Sequence, residues 1–357
     1  MCGKCKNGAS PTITGMFKPL FSLEDNSSRS AIIDSWRGFA VLLVMLQHNG
    51  GLHEVVILSI LQFHMPLFFI ISGFMLDRAY SLRKHSFGHH IAKRFVQLIV
   101  PYFIFELIFL AAWLIYQGAA VNVKATLLSM VTVVDSDETS GLRLWFLPCL
   151  FVADCAAFFV LRYINRKIQL FIIFIFVYVV AWWFSIVHPG RLPFMLDIGL
   201  VAFVYIIIGY MLAHFLFNLE KGKISKYLIC AAILLLGVCI VCSQNNSPFL
   251  MYSHNYGNYA ISFVGACCGA IATLILVSHF VPRFKWLTVI FSWFGRNSLL
   301  LYPLHLLILN TLTAAQSVIP IPLALRFFIL VGVCIPFANL ITQYFPVLAG
   351  RGFFRTR

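Results

Sequence analysis

Ten apolar runs, each long enough to matter on its own, divide this chain: near 32–49, 55–76, 95–117, 144–161, 168–187, 194–218, 227–243, 258–281, 286–311 and 322–347. A helix needs about 20 consecutive apolar residues to cross the hydrocarbon core of a bilayer. No water-facing domain of this size could bury ten such segments. Only 11% of the 357 residues are charged and 61% are hydrophobic, whereas a soluble domain carries about 25% charged residues. Strand-like alternation of polar and apolar residues is absent, which argues against an outer-membrane barrel. The expectation is an all-α polytopic membrane protein of about ten transmembrane helices. The gaps carry turn residues, such as HPGR at 188, NNSP at 245 and HNYGN at 254.

Charge sets the expected orientation. Most of the 26 lysines and arginines lie in alternate gaps. Arg78, Arg83, Lys84, Lys93 and Arg94 follow the second run, Lys221, Lys223 and Lys226 the sixth, and Arg351, Arg355 and Arg357 the last. The positive-inside rule then puts both termini in the cytoplasm, in a multi-pass protein of the cell (inner or plasma) membrane. On this reading the net charge of +14 is a topology signal, and nucleic acid is not an expected partner. Residues 1–30 are polar, lack the apolar core of a secretory signal and read as a flexible cytoplasmic tail. Residues 31–350 read as the transmembrane domain and 351–357 as a short basic tail. The opening MCGKC is a lone C-x-x-C. Cysteines within apolar runs, such as Cys239, Cys242 and Cys334, read as small hydrophobes without a disulfide framework.

Within the first run, WRGFAVLLVMLQH brackets apolar residues between Arg37 and His48. Eleven residues apart on a helix, the two fall within roughly 20° of one face and roughly 16 Å apart along the axis. Separately, Arg37 fits a snorkelling anchor and His48 an interfacial histidine. Together on one face they fit a site with two ends. FHMPLFFIISGF puts His64 just before Pro66, and proline suits a helix's first turn, so the second helix is expected to begin there. Ser72 and Gly73 suit close packing or ligand approach. Lys93 and Arg94 fit positive-inside charge or a clamp for a polyanionic ligand. RLWFLPCLF puts Arg143 and Trp145 at an outer mouth, where Trp145 also fits the aromatic belt. GRNSLLLYPLH carries Tyr302 and His305 towards the outer end of its run. Glu106, Asp154, Asp197, His214 and His279 are further ionisable groups in or beside apolar runs, which are functional candidates by default.

HEVVI at 53 lacks the second histidine of a zincin, so no metal site is expected. There is no P-loop, no glycine-rich dinucleotide fingerprint and no G-x-S-x-G elbow.

Arg37-x10-His48, FHMPLFFIISGF, the Lys93-Arg94…Pro101-Tyr102 run, LWFLPCLF and NSLLLYPLH, in that order, resemble the acyltransferase-3 family of integral membrane O-acyltransferases. FHMPLFF and LWFL are most similar to its fucose 4-O-acetylase-like branch. The resemblance spans nearly everything after residue 30. It implies transfer of an acyl group, usually from cytoplasmic acetyl-CoA, to a hydroxyl of a surface glycan or its lipid-linked precursor. Acyl-CoA is then a substrate, and no bound cofactor is expected. It also implies His48 as catalytic, Arg37 as its companion, and Arg94 and Ser72 near the site. Position 97, where many members carry a second arginine, is Gln97. A polyprenyl-linked glycan transporter or polymerase, or a proton-coupled transporter using Glu106, Asp154 and the histidines, are the rival readings. The broken, paired halves common in transporters are not evident here.

Overall fold

A computed structural model describes residues 26–78, 86–117, 122–134, 144–164, 166–187, 191–218, 226–316 and 320–351. The N-terminal C-x-x-C, Arg83, Lys84, Arg143, Lys221, Lys223, Arg355 and Arg357 lie outside them, as does most of the 1–30 tail. In chain order the helices are α1 (Asn26–Asn49), α2 (Glu54–Arg78), α3 (Phe87–Arg94), α4 (Val100–Gln117), α5 (Val123–Thr132), α6 (Phe146–Tyr163) and α7 (Lys167–Val187). They continue with α8 (Leu196–Asn218), α9 (Lys226–Gln244), α10 (Tyr259–Phe280), α11 (Lys285–Arg296), α12 (Ser298–Gln316) and α13 (Leu323–Tyr344). Among the described residues there are no β-strands, and nine helical segments are long and apolar enough to cross a membrane. The protein is an all-α polytopic membrane protein.

The long helix outside those nine is α1, 24 residues that include Asp34, Ser35, Arg37, Gln47 and His48. Polar groups in a membrane helix face the bundle interior rather than lipid. Accordingly α1 is wrapped by α2, α10, α11, α12 and α13, with Trp36, Ala40, Val44 and Met45 fully buried. Peripheral α7 is the opposite case: only 6% of its apolar window is buried, and Phe171, Phe176, Trp182 and Trp183 face outward.

Glycines set the tightest crossings. A Cβ on Gly38 would stand 1.9 Å from the Phe291 carbonyl oxygen, and one on Gly295 would stand 1.7 Å from that of Asp34. Gly73 and Gly209 make the same reciprocal contact between α2 and α8, at 1.8 Å and 1.9 Å from the Ile206 and Ile70 oxygens. Small residues let helices approach in a medium that offers no hydrophobic drive. Gly295→Val therefore should abolish the monodisperse peak of detergent-extracted protein in size-exclusion chromatography. Gly237→Ala, where nothing lies within 4 Å, should keep it. A normal Gly295→Val profile would contradict the α1–α11 crossing.

Three expectations need correction. Pro66 does not begin the second helix: α2 starts at Glu54, and Pro66 lies inside it. The 286–311 run is not one span. It breaks at Asn297 into the 12-residue α11 and the 19-residue α12. The Asn297 amide folds back onto the Trp293 carbonyl at 2.8 Å. Exposed Trp286, Val289 and Ile290 opposite buried Ser292, Phe294 and Gly295 give α11 two faces, and it is too short to cross. The third span begins before 95, at Phe87, capped by Ser86. It passes through a π-helical turn, Phe95–Ile99. Pro101 has no N–H for the Gln97 carbonyl, a familiar cause of such a bulge. The outer gap near 118–142 also holds a helix, α5, fastened by the Tyr102 hydroxyl to the Met130 carbonyl at 3.0 Å.

With α1 counted, ten helical segments span the bundle. The two ends of the described chain converge on α11: Asp34 packs on Gly295, and Arg351 donates to the Arg296 carbonyl at 2.8 Å.

Candidate active site

Two features occupy the two ends of α1. At the Arg37 end lies a cavity of about 350 Å³ whose polar lining is dominated by cations: Arg37 from α1, Lys93 and Arg94 from α3, and Arg296 from α11. Ser72, Phe68, Phe146 and Tyr302 line it, as do Ala349 and Gly350. Gly350 adopts φ +67°, and a Cβ there would meet Leu299 at 2.7 Å, so the chain needs glycine to seal against α12.

The frame of this cavity is a carboxylate that the sequence reading did not place there. Asp154 of α6 is fully buried. Its Oδ1 accepts from Arg94 Nη2 at 2.7 Å and from the Ser72 hydroxyl at 2.8 Å. Its Oδ2 accepts from Arg94 Nε at 2.9 Å and pairs with His90 Nε2 at 2.7 Å. Arg94 is thus half of a bidentate ion pair, with Nη1 reaching Gln97 Oε1 at 3.4 Å. Ser72 is a strut to α6, and Gly73 beside it makes the α2–α8 crossing. Both Ser72 and Arg94 still line the cavity, but their polar atoms are largely engaged. Lys93, Arg37 and Arg296 are the cations turned to it without a hydrogen-bonded carboxylate among the described residues.

At the other end His48 faces open space, beside buried His64 and His305. His305 Nδ1 stands 2.9 Å from the Leu301 carbonyl, and His64 Nδ1 stands 2.9 Å from that of Ile60. A carbonyl only accepts, so both Nδ1 atoms carry protons. The remaining nitrogen of neutral His305, Nε2, is then an acceptor, and it lies 3.2 Å from His48 Nδ1. His48 Nδ1, also 3.1 Å from the Val44 carbonyl, must be the donor in both contacts. The lone pair of His48 is therefore left on Nε2, which has no partner among the described residues. This follows from hydrogen-bond polarity alone.

The C-terminus of α1 is clasped immediately after His48. Arg326, 8% exposed, donates Nε to Asn49 Oδ1 at 3.1 Å, Nη1 to Gln316 Oε1 at 2.6 Å, and Nη2 to the Asn49 carbonyl. The Asn49 amide in turn donates to the Leu323 carbonyl at 2.9 Å. A guanidinium on the free carbonyls of a helix end also complements its dipole.

The cavity lining does not include His48, His64 or His305. Phe68, Phe146 and Tyr302 intervene, with ring centroids 5.5 Å apart for each successive pair. Tyr302 lies 6.2 Å from the His305 ring. Glu106 and Trp145 support this partition without lining the cavity. Glu106 Oε1 accepts the Leu144 N–H at 3.0 Å, holding the turn into α6, and Trp145 meets Phe146 edge-on at 6.2 Å. Asp154 and Glu106 are thus both engaged in holding helices α2, α3 and α6 and the turn into α6.

The chain is a multi-pass helical bundle with a cationic cavity at one end of α1 and an exposed imidazole at the other. The acyltransferase-3 family model, described as an acyltransferase domain, matches residues 30–342. The chain belongs to that family and is a membrane acyltransferase. No curated protein and no solved structure matches it.

Sequence reasoning missed Asp154 as the partner of Arg94, His90 as its third support, Arg296 in the cavity and Arg326 at the end of α1. The rule that an ionisable residue inside an apolar run is a site candidate reaches Arg326, in the 322–347 run. The His90-x3-Arg94 spacing puts two donors on one helical face.

Proposed function

We propose that the protein transfers an acetyl or other acyl group from cytoplasmic acyl-CoA to a sugar hydroxyl of a surface polysaccharide or its lipid-linked precursor, with His48 as general base. The observation that carries this reading is the hydrogen bond from His48 Nδ1 to His305 Nε2, which leaves an unpartnered Nε2 on an exposed imidazole. That nitrogen takes the proton of the acceptor hydroxyl as its oxygen attacks the thioester carbonyl. The C–S bond then breaks, and the thiolate leaves as CoA thiol with the proton returned by the imidazolium. His305 acts through His48, holding the tautomer. The cationic chamber suits the phosphates of the donor. At about 350 Å³ it lies at the small end of ligand pockets, so it suits the pantetheine arm, with the nucleotide at the mouth by Arg296 and Gly350. The acyl end reaches His48 past the Phe68, Phe146 and Tyr302 rings. The charge alternation puts this mouth, with both termini, on the cytoplasmic side.

Donor and acceptor functions should separate by mutation. Arg37→Ala and Lys93→Ala should each weaken acetyl-CoA binding to purified protein by roughly 10-fold or more, the value of a hydrogen bond to a charged group. His48→Ala should bind acetyl-CoA normally and fail to turn over. Normal donor binding by Arg37→Ala, with loss of binding in His48→Ala, would reverse the roles of the two ends.

A further inference from the structure

Several buried side-chain atoms lack a hydrogen-bond partner among the described residues. All but Thr342 Oγ1 sit on Arg191, Asp197, His254 and Tyr259. Native proteins rarely leave such groups unsatisfied, and a cluster of them calls for an occupant. These residues come from the turn into α8 and from the α9–α10 connection. That connection lies at the His48 end of the bundle, where Gln244 Nε2 reaches the Val55 carbonyl at 3.5 Å, just after the α1–α2 turn.

Asp197 is 3% exposed. His254 Nε2 comes within 2.5 Å of its Oδ2, an ion-pair distance, but without hydrogen-bond alignment. Its Oδ1 is also unpartnered. The backbone is bent to bring these groups together: Phe194, Met195 and His254 all adopt left-handed φ values, 58°, 56° and 57°. The Arg191 guanidinium lies 4.6 Å from the centre of the Tyr252 ring, and Tyr252 stands 6.1 Å from Trp145. Arg191, Tyr252 and His254 are partly exposed, so the cluster opens outward while its acid stays beneath.

We propose that this cluster is the acceptor subsite and takes a sugar residue of the glycan beside the one that is acylated. The inference rests on the acyl-to-glycan reading above. With Asp197 Oδ2 beside His254, the atoms left to bind adjacent hydroxyls are Asp197 Oδ1, accepting, and Arg191 Nη1, donating. Flanking indole and phenol rings suit the apolar face of a pyranose, in the pattern of a few convergent polar groups among aromatics. The subsite connects to the chemistry through touching rings. Trp145 adjoins Phe146, Phe146 packs on Tyr302 at 5.5 Å, and Tyr302 leads to His305 and His48. A glycan held here presents its next residue towards His48 Nε2.

The test uses purified full-length protein, radiolabelled acetyl-CoA and surface polysaccharide prepared from cells lacking the gene. Asp197→Asn, Arg191→Lys and Tyr252→Leu should each raise the half-saturating polysaccharide concentration, by roughly 10–100-fold for the charged pair. Half-saturation by acetyl-CoA should stay unchanged, which also certifies the fold. If Asp197→Asn does not fold, the partly exposed Arg191 and Tyr252 carry the test. An unchanged acceptor requirement in these variants, or a parallel rise for acetyl-CoA, overturns the subsite. Wild-type protein that binds acetyl-CoA but acylates no polysaccharide overturns the underlying reading, and the subsite with it, before any variant is compared.

Discussion

His48→Ala should lower acyl transfer by roughly 10²–10⁴-fold, the range a general base contributes, in a protein that still inserts and binds donor. The hydrogen-bond order refines this expectation. His48 can act only with its lone pair on Nε2, and His305 maintains that state by accepting the Nδ1 proton at 3.2 Å. His305→Leu removes one of the two acceptors of the Nδ1 proton, leaving the Val44 carbonyl to hold that tautomer alone, and should lower turnover with little change in donor affinity. His305→Gln restores an acceptor oxygen near the same point and should recover part of the loss. A merely structural His305 would give no such rescue, because glutamine fills the imidazole's space no better than leucine does. His64, whose Nδ1 is held by the Ile60 carbonyl, should matter less than either. Near-normal transfer by His48→Ala would remove the proposed base whatever the partners do.

The parts of this protein legible in its sequence are those set by the bilayer or by helical period. Apolar runs mark the spans because lipid admits little else at that depth. Arg37 and His48 share a face because eleven residues make just over three turns, and α1 is indeed one unbroken helix from Asn26 to Asn49. The break at Asn297 was hidden because hydropathy runs on through LTVIFSWFGRNSLLL with no proline to stop it. The local signs are only Gly295, Asn297 and Ser298, and the Asn297 amide turns back onto the Trp293 carbonyl. The start of α2 misled for a related reason. Proline is common in a first turn, yet Pro66 is held mid-helix, where neighbouring helices can satisfy the freed backbone. Pairings across helices were beyond local reading altogether. Lys93 and Arg94 look equivalent in sequence, but among the described residues only Arg94 meets an acid, from a helix 60 residues away. Likewise the NSLLLYPLH segment flagged His305 without revealing that its Nε2 would set the tautomer of His48.

Asp154→Asn should strongly destabilise the fold. Asp154 is fully buried, and its two oxygens serve Arg94 twice, His90 and Ser72. Asparagine keeps the shape but supplies one acceptor oxygen and an NH₂ that faces donors. It leaves a guanidinium uncompensated inside a membrane bundle. Removing one partner from a buried ion pair costs about 3–5 kcal/mol, a large share of a typical domain's stability. Arg94→Met should cost a comparable amount, since it strands the carboxylate instead. The double variant Asp154→Leu/Arg94→Met removes both charges. It should be more stable than either single variant, because an apolar pair of similar volume often replaces a buried ion pair without loss. Thermal unfolding midpoints of the detergent-purified variants measure this, and a double variant less stable than both singles would sink the account. If the double variant folds, its donor affinity asks a separate question. Arg94 still lines the cavity beside Lys93, so loss of acetyl-CoA binding there would mean that its guanidinium meets the donor as well as Asp154. Retained binding would leave Arg37, Lys93 and Arg296 as the cations that hold the phosphates.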